Sequence, residues 1–210
     1  MNNNDLQKLF EKSLARILEH HQITDLVSEY LAIEKMWSKF FDSMESINLV
    51  LVAEAPLNSN QYILNKHSNN SPFLFKSTLE KCMDAYNNNF DKTDSTKIDL
   101  MRDLGIIIIE AYPFSLDHKK HKKHFRNLGD DLKRNLLNES RSWHLDMKLE
   151  TIKSKTSQET VFAFRYDCNK DVIGLISDDL NFVNLSDAGK ENAHGKIDED
   201  KLISIFSNLN

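Results

Sequence analysis

Two carboxylates stand in matching surroundings. Glu54 follows the apolar run Leu49-Val50-Leu51-Val52-Ala53 and precedes Ala55-Pro56, while Glu110 follows Ile106-Ile107-Ile108-Ile109 and precedes Ala111-Tyr112-Pro113. A carboxylate at the end of a buried strand, beside backbone stiffened by a proline ring, can be held still enough to orient a water or stabilise a developing positive charge. A third chemical feature follows shortly after the second carboxylate. From His118 to Arg126 the chain reads His-Lys-Lys-His-Lys-Lys-His-Phe-Arg, which sets five fixed positive charges, Lys119, Lys120, Lys122, Lys123 and Arg126, among three histidines. Such a run can neutralise phosphates. The spacing of His118, His121 and His124 also admits a metal, but interleaved lysines would crowd like charges around the cation, so no metal is expected. Cys82 and Cys168 form no Cys-x-x-Cys pair and read as ordinary thiols. His20-His21 is expected to be a dipole-compatible cap at a helix end.

The elements that must position these groups follow from composition and periodicity. The chain has 210 residues, 40% hydrophobic and 28% charged, with a net charge of -5. Those values exclude a fibrous repeat and a disordered tail, and a chain of this size can bury about 70% of its surface. A single domain over residues 1–210 is expected, with residues 1–45 as a helical extension packed on it. The longest apolar runs, of about seven residues, are far short of the ~20 that span a bilayer. The start, Met-Asn-Asn-Asn-Asp, lacks the pattern of a secretory signal, and the expectation is a cytoplasmic protein with no membrane partner. Charge is uneven: the segment from Asp167 onward is acidic, whereas the run at 118–126 is basic.

Leu6, Leu9, Phe10, Leu14, Ile17 and Leu18 recur at helical spacing, as do Leu26, Tyr30, Leu31, Ile33, Trp37, Phe40, Phe41 and Met44, which predicts two amphipathic helices, the second capped by Thr24-Asp25. Ile47 to Ala53 reads as a buried parallel strand. After a polar loop from Leu57 to Pro72, helices are predicted at about 73–86 and 97–104. Ile106 to Ile109 forms the second strand. Helices at about 128–140 and 143–153 lead to a third strand at 161–164. A helical turn at 171–177, a weaker strand at 180–185 and a terminal helix at 199–208 complete the chain. Strands separated by helices of this length predict an α/β fold with a small parallel four-stranded sheet covered on both faces. In such a sheet ligands bind beyond the carboxyl ends of the strands. All three prolines, Pro56, Pro72 and Pro113, are expected there.

Here a family resemblance enters. Leu49-Val50-Leu51-Val52-Ala53-Glu54-Ala55-Pro56 resembles the first motif of the uracil-DNA glycosylase superfamily, an apolar strand followed in one branch by Gly-Glu-Ala-Pro-Gly. The loop around Tyr62, the stretch Ser71-Pro72-Phe73-Leu74-Phe75, and Gly105 through Pro113 are similar to divergent prokaryotic members. The likeness covers about seventy residues, Ile47 to Leu116. Ala53 and Leu57 replace the two motif glycines, and the His-Pro-Ser segment of the family is absent. Ser186 and His194 are its nearest chemical substitutes. The cysteine spacing of the iron-sulfur branch is missing, so no cluster or other cofactor is expected.

The resemblance implies a three-layer α/β/α glycosylase-like fold and a DNA glycosylase that turns a base out of the stack and hydrolyses its N-glycosidic bond. Glu54 is then the catalytic carboxylate and His194 the donor to the departing base. Tyr62 and Phe73 are the stacking surface, and Glu110 and Tyr112 read the polar edge of the base. Lys119, Lys120, Lys122, Lys123, Arg126 and Ser186 bind the DNA backbone. Uracil is the default base. The altered motif admits a bulky modified base, such as a hypermodified cytosine of phage DNA, and with it a role in base excision or antiviral defence. Two other readings stay open: a glycosylase-like fold without catalysis that binds DNA or a protein, and an unrelated α/β enzyme acting on free nucleosides. Salt-dependent DNA binding separates the last from the others.

Overall fold

The leucine, valine and isoleucine runs form the centre of a parallel sheet. A computed structural model describes residues 3–66, 74–86, 94–116, 128–164, 182–185 and 197–209. Helices α1 (Asn3–Leu14) and α2 (His20–Ser43) precede β1 (Ile47–Ala53); α3 (Lys76–Tyr86) and α4 (Lys97–Asp103) precede β2 (Ile106–Glu110); α5 (Asp130–Ser140) and α6 (Leu145–Ile152) precede β3 (Thr156–Phe164). The short β4 (Phe182–Asn184) and helix α7 (Glu199–Ser207) follow.

β1 pairs in parallel with β2 on one side and β3 on the other, and β4 adds to the outer side of β3, giving the order β2-β1-β3-β4. Consecutive residues from Leu49 to Val52 and from Ile106 to Ile109 are buried, which requires cover on both faces of the sheet. This is why these strands read as unbroken apolar runs rather than as alternating ones.

β3 begins at Thr156, five residues before its apolar part. Its polar start passes β1 with a register shift between Ile47 and Leu49, and the Thr160 hydroxyl donates to the Ile47 carbonyl at 2.7 Å. Polar residues there satisfy backbone groups that the irregular pairing leaves open, so a search for apolar runs misses them. β4 lies inside the predicted 180–185.

Gly105 turns the chain from α4 into β2 at φ +68°, the left-handed region that favours glycine. A Cβ at this position would lie 2.9 Å from the Asn48 backbone nitrogen. The Gly105 carbonyl accepts from the Asn48 and Leu49 N–H groups, and Asn48 Nδ2 donates to Leu104 O, so the turn is tied to the start of β1.

α2 begins at His20, earlier than the Thr24-Asp25 cap predicts. Glu19 is the N-cap, and Glu19 and Gln22 form a reciprocal capping box. His20-His21 therefore lies in the first turn of α2 and does not cap a helix end; His20 Nδ1 is 2.8 Å from Glu11, and His21 Nδ1 is 3.4 Å from Glu19. At the other end, Lys155 Nζ donates to the carbonyls of Phe41, Asp42 and Met44, of which Phe41 O also accepts from the Met44 N–H.

The amino-terminal helices enter the same core as the sheet. Phe10 on α1 packs edge-on against Phe114, just beyond β2, and against Tyr30 on α2. Trp37 stacks on Phe41 and donates from Nε1 to the Ile108 carbonyl at 2.8 Å. That carbonyl and the Glu110 carbonyl, which meets His144 Nε2 at 3.0 Å, belong to the side of β2 turned away from β1. Side-chain donors thus occupy an edge that would otherwise present open backbone groups. Among the described residues no helix is long and apolar enough to cross a membrane.

Candidate functional site at the carboxyl edge of the sheet

The strand order creates one topological switch point. From β1 the chain moves to β2 on one side, then returns past β1 to β3 and β4 on the other. β1 is followed in sequence by a strand on one side of it and β3 by a strand on the other, and open parallel sheets hold their ligands beyond the carboxyl ends of the two strands at such a point. Glu54 is the first residue after β1 at that place. Its backbone is fixed from β2: Ala111 N–H donates to Ala53 O at 2.8 Å, and Tyr112 N–H donates to Glu54 O at 3.0 Å.

The Glu54 carboxylate is paired. Lys133, on the first turn of α5, brings its ammonium to 2.9 Å from Glu54 Oε1, with the two side chains 12% and 28% exposed. The pair is therefore partly screened from water yet open on one side. The loop after Pro56 is anchored to α2, where Glu29 Oε2 accepts from Ser59 N–H at 2.7 Å. Asn65 Nδ2 donates to Ser59 O across the base of the same loop. Leu57 is exposed, whereas Tyr62, Ile63 and Leu64 are buried.

The second carboxylate has a different setting. Glu110 ends β2 in register with Ala53 but is buried, and its Oε2 lies 3.3 Å from Lys148 Nζ. Lys148, on α6, also reaches Glu34 of α2 at 2.7 Å and sits over the Trp37 ring at 4.8 Å. One ammonium is thus shared by two carboxylates. Burial pushes the Glu34 carboxyl up from its ordinary value, an effect that Lys148 opposes.

Burial raises Tyr30, and the neighbouring Glu34 and Glu110 charges raise it further. Tyr62 is raised well above the ordinary tyrosine value, again by burial first and then by Glu110. Its hydroxyl faces Glu110 closely enough for their charges to couple, without hydrogen-bond geometry. His144 is held well below its ordinary value by burial and the Lys148 charge, so its ring is neutral near pH 7. Donating through Nε2–H to the Glu110 carbonyl leaves Nδ1 as an acceptor. That Nδ1, the Tyr62 hydroxyl and the Ser115 hydroxyl are buried with no hydrogen-bond partner among the described residues.

Of the residues proposed from sequence, then, Glu54 stands at the switch point and Tyr112 supports its backbone. Glu110 and Tyr62 face each other in a buried polar cluster behind it. Tyr112 is fully buried as well, so none of Tyr62, Glu110 and Tyr112 lies open to solvent. Phe73, Lys119, Lys120, Lys122, Lys123, Arg126, Ser186 and His194 lie outside the described residues, as do Cys168 and the predicted turn at 171–177.

Sequence reasoning missed Lys133, Glu34, His144 and Lys148. The last two left a signal: polar residues four apart on a helix whose other inward positions, Leu145, Leu149 and Ile152, are apolar. Lys133, beside Asp130 and Asp131 in an ordinary charged first turn, left none. Among the described residues no group of His, Cys, Asp and Glu is arranged to hold a metal. No protein-family model, curated protein or solved structure matches the chain.

Proposed function

We propose that the chain is a DNA glycosylase of the uracil-DNA glycosylase type, with Glu54 as its catalytic carboxylate and a three-layer, four-stranded glycosylase-like architecture. The observation that carries this reading is the place of Glu54, the first residue beyond the central strand, at the switch point and fixed through its backbone. Scission of an N-glycosidic bond passes through a sugar with oxocarbenium character. A carboxylate held beside C1′ stabilises that charge and orients the attacking water.

The basic run supports DNA as the substrate. It joins Leu116, just beyond β2, to Leu128, just before α5, and α5 carries Lys133 to Glu54. Both ends of the run therefore belong to segments at the Glu54 edge, and its cations are well placed in the sequence to meet phosphates flanking a flipped base. Phe73 is the stacking candidate in this reading, and Tyr62, buried beside Glu110, lies beneath the site and does not meet the base. His194 is the donor to the leaving base, and Ser186 binds the backbone. Glu110 and Tyr112, being buried, hold the Glu54 turn from behind. Ala53 and Leu57, where the family motif has glycine, favour a base other than uracil, such as a hypermodified cytosine.

A second reading is favoured by one observation. Lys133 neutralises Glu54, as it would in a glycosylase-like fold that binds DNA or a protein without catalysis. One experiment separates the two. Wild type and Glu54→Gln are incubated with DNA containing uracil, ordinary bases, or hydroxymethylated or glucosylated cytosine, and alkali-labile abasic sites are counted. Sites made by the wild type alone establish the glycosylase and identify its base. No sites on any substrate, with binding intact, establish the non-catalytic module.

A further inference from the structure

The product of the proposed reaction is an aldehyde, and among the described residues the cation paired with Glu54 is a primary amine. We propose that Lys133 is a nucleophile and that the chain is also an abasic-site lyase, which forms a Schiff base with the deoxyribose and cuts the strand on its 3′ side. The inference rests on the reading of this edge as a deoxyribose site.

The geometry that carries it is the contact of Lys133 Nζ with Glu54 Oε1 at 2.9 Å. A carboxylate that positions a nucleophilic water beside C1′ holds that water at hydrogen-bond distance. Lys133 Nζ already occupies such a position. It is on a helix and the carboxylate is on a strand end, so both are held by rigid elements. Both are also partly exposed, unlike Lys148, whose ammonium is enclosed by Glu34, Glu110 and Trp37.

The steps balance without an oxidant or reductant. Lys133 passes a proton to Glu54, and its lone pair forms a C–N bond to C1′ of the open-chain sugar. The former carbonyl oxygen takes one proton from the attacking nitrogen and the other from Glu54 and leaves as water, which gives the protonated imine and restores the Glu54 carboxylate. The Glu54 carboxylate removes a proton from C2′, and the C–H pair forms an enamine. That pair then moves to form the C2′–C3′ double bond as the C3′–O bond breaks, the 3′ phosphate leaving with its electrons. Water hydrolyses the conjugated imine and returns the free lysine. The same amine can also displace the base directly at C1′, the base leaving with the bond pair and the proton held by Glu54; the C1′–O4′ bond then breaks, O4′ takes a proton from the lysine nitrogen, and the opened sugar is the same imine.

The test uses a duplex oligonucleotide carrying one preformed abasic site, so that no base need be recognised. The full chain is mixed with it in the presence of sodium borohydride, which reduces an imine to a stable amine, and the adduct is digested and sequenced by mass spectrometry. A covalent adduct at Lys133 is expected, together with strand cleavage when borohydride is omitted. Lys133→Arg keeps a cation on Glu54 and preserves the fold but cannot form an imine. It should lower adduct and cleavage at least 100-fold while binding the abasic duplex within threefold of wild type.

An adduct that maps to lysines of the 119–123 run, or one that survives in Lys133→Arg, overturns the proposal. So does a wild-type chain that binds the abasic duplex and neither cross-links nor cuts it. Loss of base release from every modified DNA, with the Lys133 adduct retained, would instead refute the glycosylase reading alone.

Discussion

Lys148 on α6 and Glu34 on α2 form an ion pair of 2.7 Å in which the lysine side chain is only 4% exposed. Because Lys148 also pairs with Glu110 at the end of β2, one side chain joins an amino-terminal helix to the strand that supports Glu54. Removing the ammonium leaves two carboxylates without their cation, and breaking a buried pair from one side is far costlier than replacing it entirely. Lys148→Met should therefore destabilise the fold by about 3–5 kcal/mol in urea denaturation. The triple variant with Glu34→Gln and Glu110→Gln removes the uncompensated charge and should recover most of that loss. Equal stability of the single and triple variants would show that the charges contribute nothing.

Glu34 also sets a pH dependence. Its carboxyl is raised in the folded chain, chiefly by burial, so the folded state holds the proton more tightly than the unfolded state. The resulting stability is fully present below the ordinary value of 4.5 and is lost as pH rises through the raised value. His144 acts with the opposite sign. Held well below its ordinary 6.5, it removes stability as pH falls below that value. The comparison of wild type with Glu34→Gln cancels the His144 contribution. Between pH 4 and pH 7 the variant should start no more stable than wild type, gain on it as pH rises above 4.5, and stop gaining once pH passes the raised value, as read from urea midpoints. A constant difference across that range would exclude titration of Glu34.

The fold was legible where burial alone decides it. The runs 49–53 and 106–109 are apolar because both faces of those strands are covered, and α1 and α2 show the periodicity of one buried stripe. The polar start of β3 was not legible, since Thr160 earns its place through two hydrogen bonds, to the Ile47 carbonyl and from the Ser157 N–H. At the site, the position of Glu54 followed from a strand end and a proline. Its partner did not: Lys133 is 79 positions away and joins it only because α5 begins at the same edge. Buried carboxylates read as surface residues for a similar reason. The shared cation that makes Glu110 tolerable lies 38 positions later, on a different element.

Gly105 is predicted to resist substitution. Any side chain there must accept φ +68° and a Cβ 2.9 Å from the Asn48 backbone nitrogen, and that atom is fixed by its bond to Gly105 O. The left-handed conformation alone costs a non-glycine residue roughly 1–2 kcal/mol, and the contact adds to it. Gly105→Ala should lower stability by about 2–3 kcal/mol in thermal or urea unfolding. A loss below about 0.5 kcal/mol would mean that the turn relaxes freely.

Lys155 tests the attachment of α2 at its other end. Its ammonium donates to the carbonyls of Phe41, Asp42 and Met44 and lies 4.5 Å from the centre of the Phe41 ring. Lys155→Met keeps the aliphatic stem and removes the donor, so the Asp42 and Met44 carbonyls must turn to water while Phe41 O keeps the Met44 N–H. The expected loss is about 1–2 kcal/mol, with early hydrogen exchange confined to the last turn of α2. Exchange that rises uniformly across the chain would place the effect elsewhere.

The final prediction separates phosphate binding from chemistry. Each cation that meets a phosphate releases a counterion, and the slope of log Kobs against log salt for duplex DNA changes by about 0.9 per contact. Lys119, Lys120, Lys122 and Lys123 carry four of the five fixed charges in the basic run. Replacing all four with alanine should reduce the slope by roughly 3–4 and weaken binding to every sequence alike, because phosphates carry no base information. Glu54→Gln releases the Lys133 ammonium from its pair and should change the slope by no more than about one contact, about 0.9. The two variants thus move different quantities: the lysine variant changes affinity and its salt dependence, and the glutamate variant changes turnover at saturating DNA. A quadruple lysine variant with an unaltered slope would show that the run is a solvated charge cluster and would remove the main support for DNA as the substrate. An altered slope without base release from any tested DNA would leave a DNA-binding module with a glycosylase-like edge.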